Sequence, residues 1–378
     1  MLMAVGAAPG NENRPKNTAH CPLPTADCPL TPPNLHDSFY CQIEAISIHL
    51  NRSISLQRIS TFGSFNMHIH QKTLARTVHF SGLGVHSGRM VNVAVHPAPA
   101  NHGIKFLRKD IADATPIPAR FNVVVDTSLA TVIGYDGVIV STIEHLMASL
   151  AGLAIDNALV ELDNYELPIM DGSAGPFTRG LLAAGTITQD KPRFAFLIRR
   201  PIHIEQNGKS VAVYPDRCYR ITCTIRYDHP LIGEQTCSIE MNQRTFVDEI
   251  CNARTFGFFH EVEAMQQLGL ARGGSLENAV VIGTDCVLNP DGLRYTDEFV
   301  RHKLLDCIGD FSLMGIPIIG HVVTHCSGHA FNQSFLQKLF EEKSAWEIIP
   351  ISADDHEVSR REPSRIGEPK ERTAPWQS

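Results

Sequence analysis

Strand-like runs followed by helical runs occur twice along this chain, and this order constrains its fold more than any other feature. In the first half, short alternating runs such as MVNVAVHPA and GIKFLRKD precede the helical patterns STIEHLMASLAGL and FTRGLLAAG. A second series starts at FAFLIRRPIHIEQ and leads to the long helical pattern TDEFVRHKLLDCIGDFSLMG. Strands followed by helices, without strict βαβ alternation, indicate an α+β fold in which sheets pack against helices.

The chain is long enough for two domains. Its 378 residues are 43% hydrophobic, which is sufficient for two cores. We predict a first α+β domain over 67–190 and a second over 195–350, joined by the linker KPRF (191–194). The Pro-rich segment 1–66 is expected to be a disordered extension or an artefact of an upstream start, and the charged tail 355–378 is also expected to be disordered.

Several element boundaries can be predicted from local residues. Ser141 or Thr142 is the expected N-cap of the first helix, and Gly185 is expected to end the second helix. Residues 244–254 are predicted to form a further helix, and 296–315 are predicted to form a long helix that ends at Gly315 and Pro317.

Composition excludes some classes of function. The formal net charge of −7 disfavours a nucleic-acid-binding protein, which would present a basic face. No apolar run reaches the roughly 18 residues of a membrane-spanning helix, and no secretory signal is visible. The ten cysteines include no C-x-x-C pair and are interpreted as reduced thiols, so we expect a cytoplasmic protein.

The segment FVRHKLLDCIGD carries the most informative spacing. Residues four apart share one face of a helix, so His302, Asp306 and Asp310 form a stripe. An imidazole and a carboxylate one turn apart are suitable zinc ligands. On spacing alone, a solvated His–Asp face is the ordinary alternative.

Two further histidines lie beside groups that could do chemistry. Glu144 and His145 are adjacent in the first helix, where their side chains point about 100° apart, so one could bind a metal while the other reaches a water molecule. The sequence fits neither HExxH nor H-x-x-E-H. His329 follows Ser327 and Gly328 in a predicted post-strand loop, where it could serve as an acid or a base. In the ordinary alternative, Glu144 and His145 are an isolated pair without a chemical role, and His329 is an exposed loop histidine.

A series of long motifs in one order resembles a known family. They are TVHFSGLGVHSG, HPAPANHGI, STIEHLMASLAGLAIDNALVEL, LPIMDGSAGPF, ARTFGF, GLARGGSLENAVV, DGLRYTDEFVRHKLLDCIGD and SGHA. Over about 67–350 the chain resembles the UDP-3-O-acyl-N-acetylglucosamine deacetylases, zinc enzymes of lipid A biosynthesis. The resemblance implies two packed α+β domains, each with a small insertion and with the active site between them. The second insertion, at about 256–295, would help to form a hydrophobic passage for the acyl chain.

The resemblance also implies a role for each motif residue. His145, His302 and Asp306 would bind zinc, with Fe²⁺ as an alternative metal. Glu144 would act as the general base, and His329 as the general acid held charged by Asp310. Lys303 and Thr255 would stabilise the oxyanion, and Phe256 together with Lys303 would contact the substrate, an acylated UDP-N-acetylglucosamine.

Two alternatives remain open from the sequence. One is a zinc amidohydrolase that acts on another acetylated sugar or on a peptide, in which case the 256–295 insertion would not need to be apolar. The other is a non-catalytic, metal-stabilised protein that binds sugar nucleotides, in which Glu144 would have no task. We expect no nucleic-acid partner, no membrane span and a monomer.

Overall fold

The structure, a computed structural model, describes residues 68–351. The predicted extension 1–66 and the predicted tail 355–378 lie outside the described residues. The first half of the described chain forms ten strands and two helices: β1 His70–Leu74, β2 Val78–Leu83, β3 Met90–Pro97, β4 Ile104–Arg108, β5 Ile117–Pro118, β6 Val124–Asp126, β7 Val132–Tyr135, β8 Val138–Val140, α1 Glu144–Gly152, β9 Ala158–Leu162, α2 Gly175–Ala184 and β10 Thr186–Pro192.

The second half of the described chain completes a mixed α+β architecture. Its elements are β11 Phe194–Ile198, β12 Ile202–Gln206, β13 Lys209–Tyr214, β14 Tyr219–Arg226, β15 Glu234–Glu240, α3 Gln243–Thr245, β16 Phe256–Phe258, α4 Phe259–Gln267, β17 Val280–Ile282, α5 Glu298–Ser312, β18 Ile318–His325, α6 His329–Glu341 and β19 Trp346–Pro350. The α+β expectation is confirmed.

The main sheet of the first half has five strands, in the order β2-β3-β9-β4-β5. Strand β3 shows why it forms: Val91, Val93 and Val95 alternate with more exposed residues, so one face of the strand is buried. Strands β6, β7 and β8 form a separate three-stranded sheet, which is the small insertion expected in this half.

A seven-stranded sheet forms the second half, and β18 lies at its centre. Strand β18 pairs with β13 in antiparallel orientation and with β11 and β14 in parallel orientation. Its residues Ile319 and Val322 are both buried, and Ile319 packs in a core cluster with Ala195, Leu197 and Ile351. Strands β16 and β17 form a small parallel pair beside α4, within the predicted second insertion.

Helices α1 and α5 pack closely against each other and join the two halves. A methyl group at Gly309 of α5 would overlap the backbone carbonyl of Glu144 at the start of α1. The close approach therefore depends on glycine at this position. Helix α1 is apolar around most of its circumference and almost entirely buried, as expected for a helix inside a core.

The predicted cap of the first helix is wrong. Helix α1 begins at Glu144, and the preceding Ile143 makes no side-chain cap. Ser141 is not available as a cap because its backbone still pairs with the chain at Tyr165 and Leu167. Thr142 has a left-handed backbone (φ 61°), which turns the chain between this pairing and the helix.

Two other local interpretations also change. KPRF forms no loose linker: β10 ends at Pro192 and β11 begins at Phe194, with Arg193 alone between them. The predicted helix 244–254 is reduced to α3 and a π-helical turn, Phe246–Ile250. The second helix does end at Gly185, whose φ of 71° suits glycine.

Candidate active site

Three side chains converge where α1 meets α5. His145 comes from α1, and His302 and Asp306 come from successive turns of α5. Asp306 Oδ1 lies 3.4 Å from His302 Nε2 and 3.7 Å from His145 Nε2. The potential ligand atoms all lie within 4.8 Å of one another, and all three residues are buried. The predicted stripe on α5 is therefore buried and is not a solvated face.

The two ring nitrogens of His302 have different surroundings. Its Nδ1 donates a hydrogen bond to the carbonyl of Ala253 at 3.1 Å, so Nε2 carries the lone pair that faces Asp306. Burial lowers the pKa of His302 to about 4, so the ring is neutral near pH 7. A neutral imidazole with its second nitrogen held by a carbonyl is typical of a metal-binding histidine. The residues present thus fit a divalent metal ion.

Asp306 presents one oxygen to the histidines and the other to Lys303. Lys303 Nζ lies 2.6 Å from Asp306 Oδ2. Burial opposes the charge of this carboxylate, but His302 and Lys303 hold the pKa of Asp306 well below its usual range. Burial likewise opposes the charge of Lys303, while Asp306 raises the pKa of that lysine above its ordinary value. The two groups are therefore an ion pair at the edge of the cluster.

Glu144 is a buried carboxylate next to the cluster. Its Oε2 accepts a hydrogen bond from the backbone N–H of Thr131 at 3.1 Å. Burial raises the pKa of Glu144, although nearby His329 and His145 lower it. Glu144 therefore lies next to His145, and its buried surroundings favour proton uptake by its carboxylate.

His329 forms a buried pair with Asp310. Its Nδ1 lies 2.9 Å from Asp310 Oδ2. Burial lowers the pKa of His329, but the charges of Asp310, Glu144 and Asp306 raise it more, to about 9. The ring is therefore protonated near pH 7. His329 does not lie in a loop as predicted, because it is the first residue of α6 and Gly328 is the cap.

Two residues that the sequence analysis missed hold Asp310. The hydroxyl of Thr131 donates to Oδ1 at 2.6 Å, and the amide of Asn332 donates to Oδ2 at 2.8 Å. Asn332 follows His329 by three residues on α6, a spacing that places both on one helix face and could have identified it. Thr131 carries no comparable sequence signal. Its backbone contacts Glu144 while its side chain contacts Asp310, so it links the carboxylate of Glu144 to the His329–Asp310 pair.

Thr255 and Phe256 lie on the segment that passes α5. The backbone of Thr255 is held at both ends, by Gly172 at 2.8 Å and by Val280 at 2.7 Å. The ring of Phe256 packs at a steep angle against His302, with 6.4 Å between the ring centres, and against Phe299 at 5.0 Å. Phe256 is therefore a direct neighbour of one candidate ligand.

The segment 256–295 exposes several large apolar side chains. They are Phe259, Leu268, Leu276 and Leu288, and Leu268 is 77% exposed. None of the helices between residues 68 and 351 is long and apolar enough to cross a lipid bilayer.

Comparisons with known proteins all indicate the same family. The family model described as UDP-3-O-acyl N-acetylglycosamine deacetylase matches residues 71–341. A protein of Myxococcus xanthus, named UDP-3-O-acyl-N-acetylglucosamine deacetylase, is 50% identical over 281 residues, which cover 74% of this chain and 90% of that protein. Proteins with the same name from Syntrophotalea carbinolica and Nitratidesulfovibrio vulgaris are 48% and 45% identical, over 74% and 79% of this chain and 91% and 97% of their own lengths.

Proposed function

The chain belongs to the UDP-3-O-acyl-N-acetylglucosamine deacetylase family, and from this membership we propose that it hydrolyses the N-acetyl group of UDP-3-O-(3-hydroxyacyl)-N-acetylglucosamine. Acetate is released, and the free amine continues into lipid A biosynthesis. The observation that carries this proposal is the link through Thr131, which joins a buried carboxylate and a cationic histidine beside three potential metal ligands.

We propose that His145, His302 and Asp306 hold the metal, and that this metal is zinc. Two imidazoles and one carboxylate are a common set for catalytic zinc, although Fe²⁺ also suits these donors. When bound there, the ion supplies Lewis-acid polarisation of the amide carbonyl.

The protein's own residues then move the protons. Glu144 accepts a proton from the water that attacks the amide carbon. His329 donates its proton to the amine nitrogen as the C–N bond breaks, and Asp310 keeps this imidazole charged until then. Lys303 and Thr255 donate hydrogen bonds to the oxygen on which negative charge develops. Phe256 packs against the sugar.

The lipid part of the substrate is supported by the 256–295 segment. A protein that handles only soluble sugars has no need of a segment that exposes several large apolar side chains, among them Phe259 and Leu268. We therefore favour an acylated substrate over another acetylated sugar. The cytoplasmic location and the monomeric state remain predictions.

Acetate release is the direct test. Mass spectrometry should detect acetate from the acylated UDP-N-acetylglucosamine, and little from UDP-N-acetylglucosamine that lacks the acyl chain. Exhaustive chelation should abolish turnover, and added Zn²⁺ should restore it. Full activity after chelation would contradict the metalloenzyme proposal, and equal turnover of both sugars would favour the broader amidohydrolase.

A further inference from the structure

The buried stripe on α5 begins one turn before the candidate ligands. Glu298, His302, Asp306 and Asp310 follow one another at intervals of four residues and are all buried. Glu298 is fully buried, and the proposed reaction gives it no task. A carboxylate in this position needs partners, because removing a charge from water is expensive.

Glu298 accepts hydrogen bonds from Arg254 and from the backbone of Arg294. Its Oε1 accepts from the backbone N–H and from Nε of Arg254, both at 2.9 Å. Its Oε2 accepts from Nη2 of Arg254 at 3.1 Å and from the backbone N–H of Arg294 at 2.6 Å. Arg254 is itself only 6% exposed, and its Nη2 also donates to the carbonyl of Gly292 at 2.7 Å. The pair is fully bonded and bidentate.

Two hydrogen-bonded links join α5 to residues 253–254, which precede β16. Arg254 directly follows Ala253, whose carbonyl accepts the Nδ1–H of His302. Glu298 lies one helical turn before His302, on the same face of α5. The carbonyl of Ala253 and the backbone N–H of Arg254 belong to one planar peptide group, so the bond from this N–H to Glu298 fixes the same peptide that orients His302. Arg254 is also the residue before Thr255, so the ion pair with Glu298 helps to fix the position of the Thr255 backbone.

We propose that Arg254 and Glu298 are positioning residues for the metal site. They hold the carbonyl of Ala253 against His302, and so fix the tautomer and the direction of a metal-binding ring. This inference rests on the proposed function, because it needs His302 to be a ligand. Outer partners of metal-binding histidines typically affect metal affinity or activity by about 10- to 100-fold.

Metal affinity, measured by competition with a chelator, separates this role from a purely structural one. Glu298→Gln keeps the shape but removes the charge that binds Arg254, and we expect its Kd for Zn²⁺ to rise by about tenfold or more. The matched control is Asp156→Asn, because Arg193 Nε lies 2.7 Å from Asp156 Oδ1 in another largely buried ion pair. That variant should bind Zn²⁺ within about twofold of the unaltered protein, since Asp156 contacts no ligand.

A double variant covers the possibility that Glu298→Gln does not fold. Arg254→Met with Glu298→Leu removes both charges, and apolar replacement of a buried ion pair often leaves stability unchanged or improved. We expect a folded protein with a lower melting temperature, because the backbone N–H groups of Arg254 and Arg294 lose their acceptor, and Zn²⁺ binding that is still about tenfold weaker. The Nδ1 proton of His302, followed by ¹⁵N NMR, should exchange with water faster than in the unaltered protein.

The possible outcomes are distinct. Unaltered Zn²⁺ affinity in a folded Glu298→Gln variant or in the double variant would overturn the positioning role and leave only a structural ion pair. Equal weakening in Asp156→Asn would overturn it too, because the effect would then follow from lost stability. Failure of the unaltered protein to bind Zn²⁺ would instead contradict the proposed function.

Discussion

The carboxylate of Glu144 lies beside the three candidate ligands without being one of them. We predict that Glu144→Gln retains zinc but lowers kcat by about 10²- to 10⁴-fold, because the amide can still accept from Thr131 but cannot take a proton. Metal analysis and steady-state kinetics on the same preparation check this. His145→Ala is the matched comparison and should lose the metal as well. Zinc loss from Glu144→Gln would mean that this residue is a ligand.

The charge on His329 depends on the carboxylates around it. Burial lowers its pKa, but Asp310, Glu144 and Asp306 together raise it to about 9. As the proposed acid is the protonated ring, kcat/KM should fall as the pH rises through about 9. Asp310→Asn should move this decline to lower pH, because it removes the largest favourable charge. A pH profile of kcat/KM for both proteins is the measurement, and an unmoved basic limb would contradict the assignment.

The same pair affects stability with a definite sign. The pKa of His329 in the folded protein, about 9, lies above the ordinary histidine value of 6.5, so the native state holds the proton more tightly. The His329–Asp310 pair therefore contributes its full stabilisation below about pH 6.5 and loses it as the pH rises through about 9. Urea denaturation at pH 6 and at pH 10 should show this loss, and Asp310→Asn should reduce the difference between the two.

At the scale of the element, the sequence predicts the features that depend only on the regular geometry of a helix. The face shared by His302, Asp306 and Asp310 follows from the four-residue spacing alone, and α5 carries it as expected. The start of α1 was not predictable, because it depends on the pairing of Ser141 with a distant segment. The orientation of His302 also depends on a carbonyl far away in sequence. Contacts of this kind leave no local pattern.

The crossing of α1 and α5 depends on Gly309. Replacement of a helical glycine by alanine normally stabilises a helix by about 0.5–1 kcal/mol. We predict the opposite sign for Gly309→Ala, a loss of about 1–3 kcal/mol, because the methyl group would overlap the carbonyl of Glu144 and force the helices apart. Urea denaturation measures the free energy of unfolding. An increase in stability would show that the two helices can separate without strain.

At the scale of the whole molecule, the family match covers 71–341, and the described residues begin at His68. We predict that a chain beginning at Met67 binds zinc and turns over substrate like the full chain, since every residue assigned a role lies at or after Thr131. Thermal melts of both chains provide the measurement. A melting temperature lower by about ten degrees in the shorter chain, several kcal/mol for a protein of this size, would show that residues 1–66 belong to the fold.

The candidate site is assembled from α1, α5 and α6, and the strands β9–β17 come between the first and the second of these helices. On the ribosome, His145 therefore emerges well before His302 and Asp306, at a synthesis rate of about 5–20 residues per second. During that interval the nascent chain offers only one of the three candidate ligands. If these residues hold the metal as proposed, the complete set of ligands forms only when α5 docks, so the ion would stabilise the finished protein without guiding the folding of its first half.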